Sequence, residues 1–359
     1  MKVASVTGLG TWLPEAIRTN DAWPESFAKR DHVKGDRTFN DIPASLDPRG
    51  AALVEHELAR EASDPFLGAK LRHVADAETS TLDGETIAAQ RALEDAAVDP
   101  KDVDLVLTFS AVPDRISPPS AGGIADRLGA HNARGIGMDA ACASGVVQLE
   151  MARAFIGTGM AKVVLLVHSH LMLRAMPMTH PASPGLGDAA SAIVVTAGES
   201  GLVLRSTYVR THGEYRQAVC WVRGVDDDTD IPWWKAGGEF RPGSRQPEAV
   251  KALMRDTVSY GSATLREAAH AIGTDLERVS VLACVQPRGF LPGAIAEHAG
   301  LRRECAVTTY ERIAHVGSCG PVFNLLESRR QGRLNRGDLV GLYGQGAGFT
   351  RAAALLEMV

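Results

Sequence analysis

No stretch of this 359-residue chain is apolar for long enough to cross a bilayer; the tightest apolar run, "VVLLV" at 163–167, falls far short of the roughly 20 residues a spanning helix needs. The opening "MKVASVTGLGTWLPE" lacks the apolar core of a secretory signal, so a cytoplasmic protein is expected. There is no basic block, and 38 Lys+Arg stand against 43 Asp+Glu for a net charge of -5, which gives a phosphate backbone nothing to bind. Cysteine is scarce: five residues, an odd number, scattered and without a CxxC. That favours a reducing cytoplasm over a disulfide framework or a zinc site. Neither GxGxxG after a strand nor GxxxxGK[ST] occurs, so no resident cofactor and no metal are expected.

What is there is an ordinary globular composition, 45% hydrophobic and 23% charged. At this length it forms either about two domains or one large duplicated unit. "KVASVTGLGTWLP" reads as a strand and a Gly/Pro turn, and residues 24–70 as an irregular or partly helical insertion. Helical spacing then runs from about Leu82 to Ala97, followed by strand "VDLVLTFSA", a short helix in "PSAGGIADRLGAH", strand "ARGIGMDAAC", helix "SGVVQLEMARAFIGTG" and strands "AKVVLLVHSH" and "DAASAIVVTAG". The second half repeats this grammar: a long helix over about 247–272, strand "RVSVLACVQ", helix "PGAIAEHAG" and strand "CAVTTYE". Both halves close on Gly-rich turns feeding small-residue strands, "GDAASAIVVTAGESG" and "GQGAGFTRAAALLEMV". Alternating strands and helices imply an α/β layered fold, and the repetition a division into halves 1–200 and 201–359.

One cysteine sits where chemistry would use it. In "GIGMDAACASGVVQLEMARAFI", Cys142 lies between a strand and the start of a helix, among residues small enough for a substrate to approach. A helix N-terminus offers partial positive charge and free N–H groups, which favour thiolate, the nucleophilic form. Read by itself, the same cysteine could equally be a small buried core residue. The runs "DAACASG", "GDAASAIVV" and "GQGAGFTRAA", in that order, resemble the thiolase superfamily and, more narrowly, the β-ketoacyl-carrier-protein synthase III group. The resemblance covers residues 80–359 and, more loosely, 1–20; the 24–70 segment has no counterpart.

The resemblance implies a duplicated α-β-α-β-α fold, a homodimer joined through edge strands, and a cysteine that takes an acyl group from acyl-CoA or acyl carrier protein. In that family a His and an Asn then help decarboxylate malonyl-carrier protein for carbon–carbon bond formation. Here Val285 or Gln286 falls on the His position, in "VLACVQPRGF", and His315 falls on the Asn position, in "AHVGSCGPVFN". A divergent branch of the family in natural-product pathways transfers acyl groups to sugar or aminocyclitol hydroxyls and amines, and a related branch loads polyketide starter units. A Cys142–His315 pair suits such an acyltransferase; it lacks the second donor a malonyl-derived enolate wants. Acyl transfer to a hydroxyl or amine is therefore the expected reaction, decarboxylative condensation the alternative. A non-catalytic partner subunit is a third reading, which retention of the cysteine opposes. The backbone N–H groups of Cys142 and Ala347 match the family's oxyanion hole, flanked by Gly346 and Gly348.

Further candidates carry plainer readings beside them. His212, in "RTHGEY", reads as a second base or a loop histidine. Gln286 and Arg288 read as substrate contacts, with Arg288 meeting a carboxylate, a CoA phosphate or a surface acid. His168, His170 and His180 invite a metal, but no Cys or carboxylate has ligand spacing with them. Asp188 reads as a turn holder, Cys319 as packing, "VDDDTD" at 225–230 as a solvated loop, and "IPWWK" as a tunnel cap, an adenine stack or a lid contact.

Overall fold

A computed structural model describes residues 2–29, 39, 41–223, 235, 238 and 240–359. The strands are β1 (Ala4–Trp12), β2 (Ile17–Thr19), β3 (Leu71–His73), β4 (Leu105–Ser110), β5 (Arg134–Gly137), β6 (Val163–His170), β7 (Ala189–Ala197), β8 (Leu202–Thr211), β9 (Cys220–Arg223), β10 (Phe240–Gly243), β11 (Val279–Cys284), β12 (Ala306–Val307), β13 (Leu339–Gly346) and β14 (Thr350–Met358). The helices are α1 (Glu25–Lys29), α2 (Pro48–Glu61), α3 (Thr81–Ala96), α4 (Ala121–Leu128), α5 (Ser144–Gly157), α6 (Pro247–His270), α7 (Leu291–Ala299), α8 (Tyr310–Ile313) and α9 (Gly320–Arg330).

Ten strands join in the order β12-β11-β13-β14-β8-β1-β7-β6-β4-β5. The first half runs β1-β7-β6-β4-β5, with β1, β7 and β6 antiparallel and β6, β4 and β5 parallel. The second runs β8-β14-β13-β11-β12 with the same pattern of directions. A short β1–β8 pairing, Ser5 with Val203 and Val6 with Leu202, joins them. We propose on that repeat that the halves divide between β7 and β8.

The layers follow from side-chain character. Helix α5, "SGVVQLEMARAFIG", has only two charged residues, so almost its whole circumference must be covered. It lies in the middle layer with α9: Leu149, Ala152, Ile156, Val322 and Leu325 share one core with strands of both halves. Each fully buried Leu or Ile there contributes about 1.5–3 kcal/mol. Helices α3 and α4 cover the outer face of the first half, and α6, α7 and α2 that of the second, giving five alternating layers. Helix α3 starts one residue before its expected position because Ser80 caps it, its Oγ accepting from Asp83 N at 3.3 Å. The described part of the 24–70 insertion is partly helical, as expected: α2, capped by Asp47, packs its Val54 and Leu58 on α6 and α7.

Each middle helix is preceded by one turn of 3-10 helix, Ala141–Ala143 before α5 and Gly317–Cys319 before α9. In both, the first residue has a left-handed backbone, φ 49° at Ala141 and 56° at Gly317. These two turns face each other and build the site; the carbonyl of Ser318 would lie 3.2 Å from a Cβ placed on Gly145.

Candidate active site

The strand expected to run into Cys142 stops at Gly137, so the thiol lies in the 3-10 turn ahead of α5 rather than in that helix's first turn. Side chains make the turn: Asp139 Oδ1 accepts from Ala141 N at 2.8 Å, and Ser144 Oγ from Ala140 N at 2.9 Å. The end of β13 seals it from behind. A Cβ on Gly346 would lie 2.0 Å from Ala140 O, and one on Gly344 3.1 Å from Ala143 Cα, so only glycine lets this strand pass the cysteine loop.

Cys142 Sγ lies 3.5 Å from His315 Nε2. His315 is held by its backbone, whose N donates to Gly185 O at 2.9 Å while its O accepts from Gly187 N at 3.0 Å, a bridge from the second half to the first. Its Nδ1 is buried without a partner. Against it packs His170, edge-on, with ring centroids 5.4 Å apart. His170 donates through Nδ1 to Gly187 O at 2.9 Å, so the last residue of β6 fixes both the ring of His315 and the strip its backbone pairs with. Gly317 makes room, since a Cβ there would strike the His170 ring at 2.4 Å. Nothing in the residue pattern joins His170 to His315; they are 145 positions apart, and only the meeting of β6 with the turn before α9 brings them together.

An apolar cavity of about 400 Å³ reaches the pair, lined among others by Leu253, Met254, Phe290, Leu291, Cys142 and His315. Gly346, Ala347 and Gly348 form another part of its wall, with Gly348 at φ 73°. Cys142, early in its turn, has an N–H without an intrahelical acceptor. Arg288 also lines the cavity and is paired with Glu61 of α2 at 3.1 Å, which ties the insertion to the cavity wall.

Two sequence expectations are corrected. Gln286 does not line the cavity; it is fully buried, its Nε2 donating to Thr309 Oγ1 and Ala314 O and its Oε1 accepting from Thr308 Oγ1, Thr309 N and Asn324 Nδ2. Every polar atom of that side chain is used to hold the segment before His315. His212 is not a second base for the thiol. It lies behind Phe349, its Nε2 accepting from Arg351 Nε at 3.0 Å and its Nδ1 facing Glu214 at 3.2 Å. A ring nitrogen already filled by a guanidinium donor cannot take the thiol proton.

The remaining candidates take structural places. Asp188 accepts from Leu173 N and Ala75 N, and Cys319 packs against the carbonyls of His168 and Ala189. His168 faces Gln148 at 3.0 Å, and His180 accepts from Ala182 N. Among the described residues no group of three His, Cys, Asp or Glu is placed to hold a metal. The "VDDDTD" stretch and nearly all of "IPWWK" lie outside the described residues.

The electrostatics differ from the resting thiolate the sequence suggested. Burial pushes the Cys142 thiol up from 9.0 to about 12, against the pull of its own backbone N–H. Burial, with His170 adding to it, pushes His315 down from 6.5 to about 3. Desolvation disfavours every charged form here, so the pair rests as neutral thiol and neutral imidazole. A rise from 9.0 to about 12 leaves roughly a thousandth of the usual thiolate. The greater basicity of that thiolate restores about a factor of thirty. Iodoacetamide should therefore modify Cys142 about thirtyfold more slowly than free glutathione at pH 8. Its rate should climb about tenfold per pH unit up to pH 10. Peptide mapping of the alkylated protein checks this; a fast rate already flat at pH 7 would mean a resting ion pair instead.

Comparison with known proteins finds relatives for this sequence and this fold. The family model described as "3-Oxoacyl-[acyl-carrier-protein (ACP)] synthase III" matches residues 136–213, and its C-terminal companion matches 269–358. The "Beta-ketoacyl-[acyl-carrier-protein] synthase III" of Bordetella petrii is 26% identical over 361 residues, covering 100% of this chain and 99% of its own. The crystal structure of "3-oxoacyl-[acyl-carrier-protein] synthase III from Aquifex aeolicus VF5" has the same fold at 23% identity, with TM-score 0.76 and 99% of each chain covered. So does the "Priming beta-Ketosynthase from the R1128 Polyketide Biosynthetic Pathway", at 21% identity and TM-score 0.76, covering 99% of this chain and 97% of the other.

Proposed function

We propose, for a chain that belongs to the β-ketoacyl synthase III-like family of the thiolase superfamily, that Cys142 takes an acyl group from an acyl thioester and that His315 carries the proton in both directions. The observation that carries this reading is the 3.5 Å approach of Sγ to Nε2 at the wall of an apolar cavity. His315 Nε2 accepts the thiol proton as Sγ attacks the thioester carbon. The N–H groups of Cys142 and Ala347 receive the developing oxyanion. The carrier thiolate then leaves and takes the proton from Nε2, giving acyl-Cys142 and free carrier thiol. Burial keeps the imidazolium costly, so the proton is passed on rather than stored. Acyl-CoA and acyl carrier protein are the donors this reading implies.

For the second step, the name borne by the Bordetella petrii relative supports a carbon acceptor, with malonyl-carrier protein losing CO2 and a β-ketoacyl product forming. The comparisons favour this condensing reading over acyl transfer to a hydroxyl or amine. One observation favours the second reading. Gln286, at or beside the position of the family's His, has its amide wholly occupied by Thr308, Thr309, Ala314 and Asn324, which leaves an enolate one ring donor where it wants two. A hydroxyl or amine needs only the one base. We also carry over a homodimer, in which the exposed strand β5 at the end of the sheet pairs with its copy; a monomer mass in sedimentation would remove it.

Intact-protein mass after incubation with a panel of acyl-CoAs, followed by chases, tests the whole scheme. An adduct on Cys142 that malonyl-carrier protein converts to a β-ketoacyl product supports condensation. An adduct that survives that chase and is consumed by hydroxyl or amine acceptors supports the second reading. No adduct from any CoA or carrier-protein thioester would sink the acyl-enzyme itself.

A further inference from the structure

Among the described residues, Gln345 is the one amide side chain in the wall of the apolar cavity. It stands near the end of β13, opposite Arg351 of β14. Strand alternation puts it on the face away from Gly344 and Gly346, which back the cysteine loop, and toward α6. There it lines the cavity beside Val250, Leu253, Met254 and Thr257, a stripe of that helix.

The amide is aimed by two hydroxyls. Its Oε1 accepts from Tyr343 Oη at 3.0 Å and from Thr257 Oγ1 at 3.0 Å. Both donors are buried, Tyr343 fully. With the amide turned over, neither hydroxyl proton would keep its acceptor inside the protein, and an orphaned buried donor costs about 1–3 kcal/mol. The orientation with Oε1 inward is therefore fixed, and Nε2 has no hydrogen-bond acceptor among the described residues. A cavity of this kind uses a few placed polar groups to orient an otherwise apolar ligand.

We infer that Gln345 is a specificity residue: its Nε2 donates to a carbonyl or hydroxyl oxygen on the acyl thioester, beyond the thioester carbonyl itself. The oxygen comes from the acyl chain or from the amide-bearing arm of the thiol carrier; the chemistry is shared and the sources can be separated. The inference rests on the reading that Cys142 is acylated, and it deepens that reading by naming what the substrate must carry.

The decisive variant is Gln345→Glu. It keeps an oxygen acceptor for Tyr343 and Thr257 but replaces the donor with another acceptor; Gln345→Leu removes both. Acylation of Cys142 is followed by intact mass, with four donors: hexanoyl-CoA, 3-hydroxyhexanoyl-CoA and the S-ethyl thioesters of the same two acids. Each variant should lose about 10- to 100-fold in acylation kcat/KM wherever the donor supplies the oxygen. A loss confined to the two hydroxyacyl donors places the oxygen on the acyl chain. A loss with both CoA thioesters and neither ethyl thioester places it on the carrier arm. Both variants loading all four donors at the wild-type rate would overturn the inference and leave the acyl-enzyme standing, as would an equal loss with all four, which marks a merely structural role. Failure of the wild-type protein to load any donor is a different result, and counts against the acyl-enzyme.

Discussion

Cys142→Ala leaves no acyl adduct on the protein after incubation with any donor that acylates the wild type, and turnover falls to background. The loss is complete because no other group can replace the sulfur. Cys284, Cys305 and Cys319 are buried, and none of them lines the cavity. Cys220 is half-buried and also absent from the cavity wall. The fold survives, because alanine suits a turn already flanked by Ala141 and Ala143, and its backbone is set by Asp139 and Ser144 rather than by the thiol. Intact mass reads the first outcome and thermal unfolding the second, with a Tm expected within a few degrees of wild type. An adduct of undiminished yield on the variant, mapped to another residue, would end the case for Cys142.

His315→Ala acts differently on the two steps. Loading slows, because the thiol, pushed up to about 12, then loses the base that it touches among the described residues. Transfer to the acceptor suffers most: a hydroxyl or amine must lose a proton, the enolate left when malonyl-carrier protein loses CO2 needs a donor on its oxygen, and in either case the departing Cys142 must gain a proton. A positioned general base contributes about 10²–10⁴-fold, and a loss of that size is expected in the transfer rate from pre-formed acyl-enzyme. Single-turnover transfer, started from protein loaded over a long incubation, isolates that step. Unchanged transfer would remove His315 from the mechanism and return attention to His170, which touches its ring.

Much of this was open to reading in the chain itself. The strands β4, β6, β7 and β11 and the helices α3, α5 and α6 announce themselves through apolar periodicity, and the residues around Cys142 through their small size. His315 came from its place in a family pattern. What escaped was whatever depends on approach across the molecule. Gln286 looks like a site residue in sequence because it stands at or beside the position where the family it resembles keeps a histidine, yet its amide faces Thr309 and Asn324. His212 lies in a plausible loop, and only Arg351 and Phe349, more than a hundred positions away, reveal that it is taken. The thiolate expectation failed for a related reason. A helix N-terminus is a local feature, whereas the desolvation that outweighs it is supplied by the whole surrounding fold.

The paired 3-10 turns have one more implication. Cys142 is the middle residue of the first; Ser318 is its counterpart in the second, and His315 stands three positions ahead of that serine. Nucleophile and base thus belong to two renderings of a single structural phrase, one in each half of the chain. Neither rendering contains both reagents. Reactivity is consequently a property of the seam, where the His315–Gly185 and Gly187–His315 backbone bonds hold the base in place, and a displacement of about an ångström there would cost the pair its contact.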